Sequence, residues 1–194
     1  MARVLSSAVR TEERFTVERY FALVDEGVLQ PDDRVELLEG VIVAMSPQNP
    51  PHATATNRTF RALLRAVGTR AVVRSQSPLV IGRYSVPEPD VAVVPGREVD
   101  YEQAHPTTAL LVVEVADSSL LQDRLTKAAI YAAAEIPEFW IINLRDNCAE
   151  IHRDPDARAR RYRTVRKARR SERIKLAALP TVGVAVRDLL PARR

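Results

Sequence analysis

Four side chains, Glu114, Asp90, Glu36 and Lys127, are of types and at places that could do chemistry together. Glu114 interrupts the apolar run "LLVVEVA", and an ionised carboxylate in a dry interior costs several kcal/mol unless it is paired, protonated or bound to a cation. Leu111, Val112, Val113 and Val115 leave no polar face for it, so a strand opening on a cleft is a better reading than a solvated one. Asp90 follows two stiffening prolines, Pro87 and Pro89, and opens the apolar stretch "DVAVV". If the two strands pair, both carboxylates come to neighbouring strand ends, where their oxygens can hold Mg²⁺ and leave positions for water and phosphate. A third acid comes from "RVELLEGVIV": Glu36 points to the opposite strand face from Val35 and Leu37, whereas Glu39 belongs to the turn before Gly40 and is expected in solvent. The amine is Lys127. It shares a helical stripe with Asp123 and Tyr131 at steps of four. Two readings of that stripe stand side by side: a lysine reaching the carboxylates, or an exposed Asp123–Lys127 pair contributing a few tenths of a kcal/mol.

The elements that must position these groups follow from periodicity. Thr16 reads as the N-cap of a helix that carries Tyr20, Phe21 and Val24 inward and stops near Gly27. "RVELLEGVIVAMSP" reads as a hairpin turning at Glu39-Gly40. The stretch 52–67 places Phe60, Leu63, Leu64 and Val67 on one face of a second helix, ending at Gly68. "AVVRSQSPLVI", "DVAVVP" and "TALLVVEVA" have strand length and β-branched content. Ser119 and Gln122 have capping-box spacing for a helix running through Tyr131, its small Ala128, Ala129, Ala132 and Ala133 permitting close packing on a sheet. "EFWIIN" returns as a strand, parallel to "TALLVVEVA" because a helix joins them. The order predicts an α/β mixed sheet flanked by helices, with accessory strands at the C-terminal end. One domain over 1–194 is the default for this length, with 1–14 and 191–194 as flexible tails.

Composition narrows the partners. The net charge of +4 is uneven: between Arg153 and Lys175 stand 11 Lys and Arg against three acids, about +8, which leaves about −4 for the rest. A local basic strip suits phosphate contacts, and Arg160, Arg161, Arg163, Arg166, Lys167, Arg169 and Arg170 are its candidates; an Arg-rich hairpin that merely keeps the chain soluble is the plainer reading. No stretch has the length of a membrane span and the first residues lack the apolar core of a signal peptide, so the expected location is cytoplasmic, with no membrane partner. Cys148, the single cysteine, excludes an internal disulfide and a thiolate zinc cluster. The histidines at 52, 105 and 152 are too scattered for a histidine-rich transition-metal site.

"VPEPDVAVV" followed by "LLVVEVADSSLLQDRLTKAAIYAAAEIPEFWIIN" resembles the PD-(D/E)XK nuclease superfamily, and within it the Uma-type family of restriction-endonuclease-like proteins. The similarity also takes in "RVELLEGVIVAMSP", His52 and "SQSPLVI", and runs from Phe15 to Leu190. It implies a restriction-endonuclease-like fold and phosphodiester hydrolysis, in DNA, with Mg²⁺ or Mn²⁺ as cofactor. By this resemblance Asp90 and Glu114 are the metal pair, with Glu36 as a further acid and the Val115 carbonyl as a further ligand. The superfamily's lysine stands two residues after the second acid, where this chain has Ala116; the Uma-type pattern moves it to the next helix, at Lys127. Gln76 matches a polar position near the scissile phosphate, Asp123 would orient Lys127, and Tyr131 and His52 are supporting residues. A homodimer would suit an enzyme that cuts two strands. Ala116 also keeps an alternative in view, a catalytically inactive nucleic-acid-binding or dimerisation module on the same fold.

Overall fold

The computed structural model describes residues 14–30, 32–117 and 123–192, with the Asp123 side chain outside the description. Helix α1 (Val17–Asp25) is capped by the Thr16 hydroxyl, which accepts the Arg19 N–H at 3.2 Å. It buries Val17, Tyr20 and Leu23 but leaves Val24 exposed, so the inward stripe is rotated one residue from that read in the sequence. Strands β1 (Val35–Leu38) and β2 (Val41–Ala44) form the expected hairpin. Its two turn residues, Glu39 (φ 52°) and Gly40 (φ 84°), are both left-handed, as a two-residue hairpin turn matching strand twist requires. Glu39 is half-buried rather than solvated, and its carboxylate pairs with Arg160. A bridge between Leu37 and Val86, exchanging N–H···O bonds of 3.3 and 2.7 Å, docks the hairpin on the segment that leads into Asp90.

Helix α2 (Pro50–Val67) starts at Asn49, whose side chain accepts the His52 N–H, and carries its two prolines in the first turn where missing N–H groups cost nothing. It buries Leu63 and Val67 together with Ala55, Thr59 and Ala62; Leu64, expected inside, is exposed. The central sheet runs β3-β4-β5-β6-β7-β8, formed by Val72–Ser75, Val91–Val94, Leu111–Ala116, Glu138–Asn143, Cys148–Asp156 and Arg161–Arg169. All its pairs are antiparallel except β5 with β6, which are parallel across the connection through α3 (Ala128–Ala133).

Alternating side chains divide the sheet between two cores. One face (Val91, Val93, Val113, Val115, Trp140, Ile142) packs on α2 and on Leu189 and Leu190 near the chain's end. The other (Ala92, Val94, Val112, Phe139, Ile141) packs on Ile130, Tyr131 and Ala132 of α3. Cover on both faces explains why β5 reads as a nearly unbroken apolar run. Glu114 falls in the α3-facing set with Val112 and Ala116. The C-terminal strands expected as accessories divide in two. The basic hairpin β7–β8 extends the main sheet, and β9 (Arg173–Lys175) with β10 (Gly183–Ala185) forms a separate two-stranded ladder before α4 (Val186–Leu189).

Candidate active site

Asp90 stands one residue before β4, and its surroundings hold it firmly. Its Oδ2 accepts the Val115 N–H at 2.8 Å, its Oδ1 accepts the Thr56 hydroxyl at 3.3 Å, and the His52 Nε2 lies 3.4 Å from Oδ2. Its carbonyl is fixed as well, by the Ser75 hydroxyl at 3.0 Å and the Gln76 N–H at 3.2 Å. Antiparallel pairing of Val91 with Val113 sets Asp90 next to Glu114 on the neighbouring strand.

Glu114 is 3% exposed, and its Oε1 accepts from both the Lys127 ammonium (3.1 Å) and the Tyr131 hydroxyl (2.8 Å). The same ammonium lies 3.3 Å from Glu36 Oε1, while Glu36 Oε2 accepts the Glu88 N–H at 3.2 Å. Lys127, 6% exposed, is therefore a buried cation between acids from two separate segments rather than an exposed one. It ends a π-helical turn, Asp123–Lys127, that leads into α3. Such wide turns recur at functional sites. The capping box expected at Ser119 and Gln122 lies outside the described residues.

These groups line one open cleft with Arg34, Met45, Ser46, His52 and Glu88 on its walls. Glu88 has no place in the reading from sequence, because an acid between two prolines looks like a turn residue. Here its carboxyl is pushed up from the ordinary range, first by burial and then by the Glu36 charge, against the opposing pull of Arg34 and Lys127.

The model of the Uma2 family, described as "Putative restriction endonuclease", matches residues 17–187. The chain belongs to the Uma2 family. Among solved structures, it is similar to a crystal structure titled "a putative nuclease belonging to DUF820" from Anabaena variabilis, with a TM-score of 0.67 and 12% identity over 90% of this chain and 97% of that one. At that identity the likeness is one of fold, and the fold is the nuclease-like mixed sheet expected from the sequence. No curated protein matches the chain.

A Uma2 chain implies a divalent metal, and the donor set fits one. Four acids (Glu36, Glu88, Asp90, Glu114) line the cleft against Lys127 and the rim guanidinium of Arg34, all of them hard oxygen donors of the kind Mg²⁺ and Mn²⁺ take. Each ionised carboxylate accepts more bonds than one amine supplies. Val115 also lines the cleft. Gln76 sits beside it rather than in it: exposed, with a left-handed φ of 46°, it lines an adjoining hollow with Tyr20, Phe21 and His105 that shares Arg34, Met45 and Glu88 with the cleft.

A second group of metal-type donors, Asp146, Cys148 and Glu150, converges to within 4.8 Å on the same side of the sheet. Its charges are already met. Glu150 is forked by Arg124 and bonded by Asn143, Asp146 pairs with Lys167 at 2.7 Å, and burial pushes the Cys148 thiol up.

Proposed function

We propose that this Uma2 protein is a metal-dependent endonuclease that hydrolyses phosphodiester bonds in nucleic acid, DNA first among the candidates. The observation that carries the reading is one cleft lined by Asp90, Glu114 and Glu36, from three segments, with the buried ammonium of Lys127 between Glu36 and Glu114. Asp90 and Glu114 would hold Mg²⁺ or Mn²⁺, with Glu36 and the Val115 carbonyl as further ligands. When bound, the ion supplies an acidified water and positive charge against the phosphate oxygens. Lys127, an ammonium with three donors and no acceptor, orients the attacking water and offsets charge on the phosphate. Tyr131 aims Glu114 through its hydrogen bond, and His52 and Thr56 do the same for Asp90. Glu88, with its raised carboxyl, is suited to exchange a proton with water in the cleft. The adjoining hollow beside Phe21 and Gln76 receives the nucleotide next to the scissile phosphate, and the basic hairpin contacts phosphates further along.

Incubating the protein with supercoiled plasmid and labelled single-stranded DNA and RNA in Mg²⁺ or Mn²⁺ tests this. The expected outcome is cleavage that chelation abolishes, that disappears in Asp90→Asn and that falls about 10–100-fold in Tyr131→Phe. Nucleic acid bound but left intact under all these conditions would favour the inactive module instead.

A further inference from the structure

We infer that the Arg124–Glu150 ion pair is a positioning device for Lys127, which makes both its members indirect determinants of catalysis; the inference deepens the nuclease reading and rests on it. Glu150 belongs to β7 and is 2% exposed. Register places it in the same row as Glu114, through Glu114↔Ile141 and Ile141↔Glu150, so the two carboxylates leave the same face about 10 Å apart with Ile141 between them. Arg124 Nε donates to Glu150 Oε2 at 2.9 Å while its Nη2 donates to Oε1, and the Asn143 amide adds a 2.7 Å bond to Oε1. Arg124 and Lys127, three positions apart, both belong to the five-residue π turn Asp123–Lys127. A single turn therefore grips the sheet at two points, a fork on Glu150 and an ammonium on Glu114.

Two physical reasons make this a positioning device rather than a generic stabiliser. A lysine carried two residues beyond Glu114 would inherit the rigidity of the strand ladder, but that place is Ala116, fully buried. A lysine on the following turn has four rotatable bonds and a backbone outside the sheet, so its reach depends on how the turn is seated. Moreover, an ion pair whose Arg124 side chain is 37% exposed is a poor source of net stability, whereas a bidentate Arg–carboxylate fork fixes direction strongly. The row of Glu114 and Glu150 thus measures where the turn, and with it the ammonium, must lie.

The test uses Arg124→Met and Glu150→Gln in the wild-type and Lys127→Met backgrounds, with kcat and KM measured for divalent-dependent cleavage. In the wild-type background kcat falls about 10–100-fold, with KM changed by less than about threefold. In the Lys127→Met background the same substitutions change kcat by less than about twofold, because the residue they act through is gone. An equal loss in both backgrounds, or none in the wild type, overturns the inference. A second readout is independent of turnover: side-chain NMR of ¹⁵N-lysine in the metal-free protein. Either substitution should speed exchange of the Lys127 ammonium protons at least tenfold, and unchanged exchange in a folded variant overturns the inference. Glu150→Gln keeps the Asn143 contact and serves if Arg124→Met does not fold. Exchange that responds in a protein that cuts nothing would sink the nuclease reading while the positioning role stands.

Discussion

Lys127 is a buried cation with acids on two sides, and this decides what its removal does. Taking one partner from a buried pair typically costs about 3–5 kcal/mol, because the charge left behind is uncompensated. Lys127→Met should therefore lower the urea stability of the metal-free protein by that order, and Mg²⁺ should restore more stability to the variant than it adds to the wild type, since the ion replaces the missing charge. Equal gains in both proteins would mean that the acids do not share a cation site. Single residues differed in how legible they were. Glu114 stands out in sequence because an acid inside an apolar run has to be explained. Glu150 in "CAEIH" and Glu138 in "IPEFWII" offer the same signal, and both are buried partners of arginines. Glu88 offers no such signal, because its burial comes from the hairpin docked over it, a contact between distant segments.

At the scale of elements, the strand order and the parallel β5–β6 pair follow from the alternation of apolar runs and one helical connection. The π turn does not, because a single widened turn leaves composition and the step-of-four pattern almost unchanged. The faces of α1 and α2 were misjudged at Val24 and Leu64, where an apolar side chain at the margin of the stripe meets solvent. The basic hairpin proves less positive than its composition. Arg160, Arg163, Arg166 and Lys167 pair with Glu39, Asp156, Glu172 and Asp146, and Arg170 bonds Asn147. Among the described residues Arg161 and Arg169 have no ion-pair partner, which makes them the cations readiest to displace counterions. Replacing both with Ala should flatten the dependence of log affinity on log salt by nearly one per residue, measured with a metal-free DNA complex, whereas Arg166→Ala should change it less. Identical slopes for all three proteins would remove the hairpin from the nucleic-acid surface.

For the molecule as a whole, the sheet must stay covered on both faces, and His152 ties that cover to pH. It is buried against Phe139 and Tyr162 with ring centroids at 5.3 and 5.9 Å, and its Nε2 has no hydrogen-bond partner among the described residues. Burial pulls its pKa down to about 4, with Glu150 opposing and Arg124 assisting. An unfolded chain would take up this proton near pH 6.5, so between those values the unfolded state binds more protons and stability falls as the solution is acidified. The stability tied to this group is present above about pH 6.5 and lost toward pH 4, about 3 kcal/mol in all. Chemical denaturation at pH 7 and pH 5 should show a loss that His152→Leu reduces; the same loss in both proteins would assign the acid sensitivity elsewhere. Among the described residues no helix is long and apolar enough to cross a membrane.

Isothermal titration of the metal-free protein with Mn²⁺, beside Glu114→Gln, tests most directly that the acids around Lys127 form a divalent-ion site. The expected result is saturable binding of metal to the wild type that is lost, or weakened at least about tenfold, when the Glu114 charge is removed. Binding of the same strength in both proteins, or no binding in either, would contradict it.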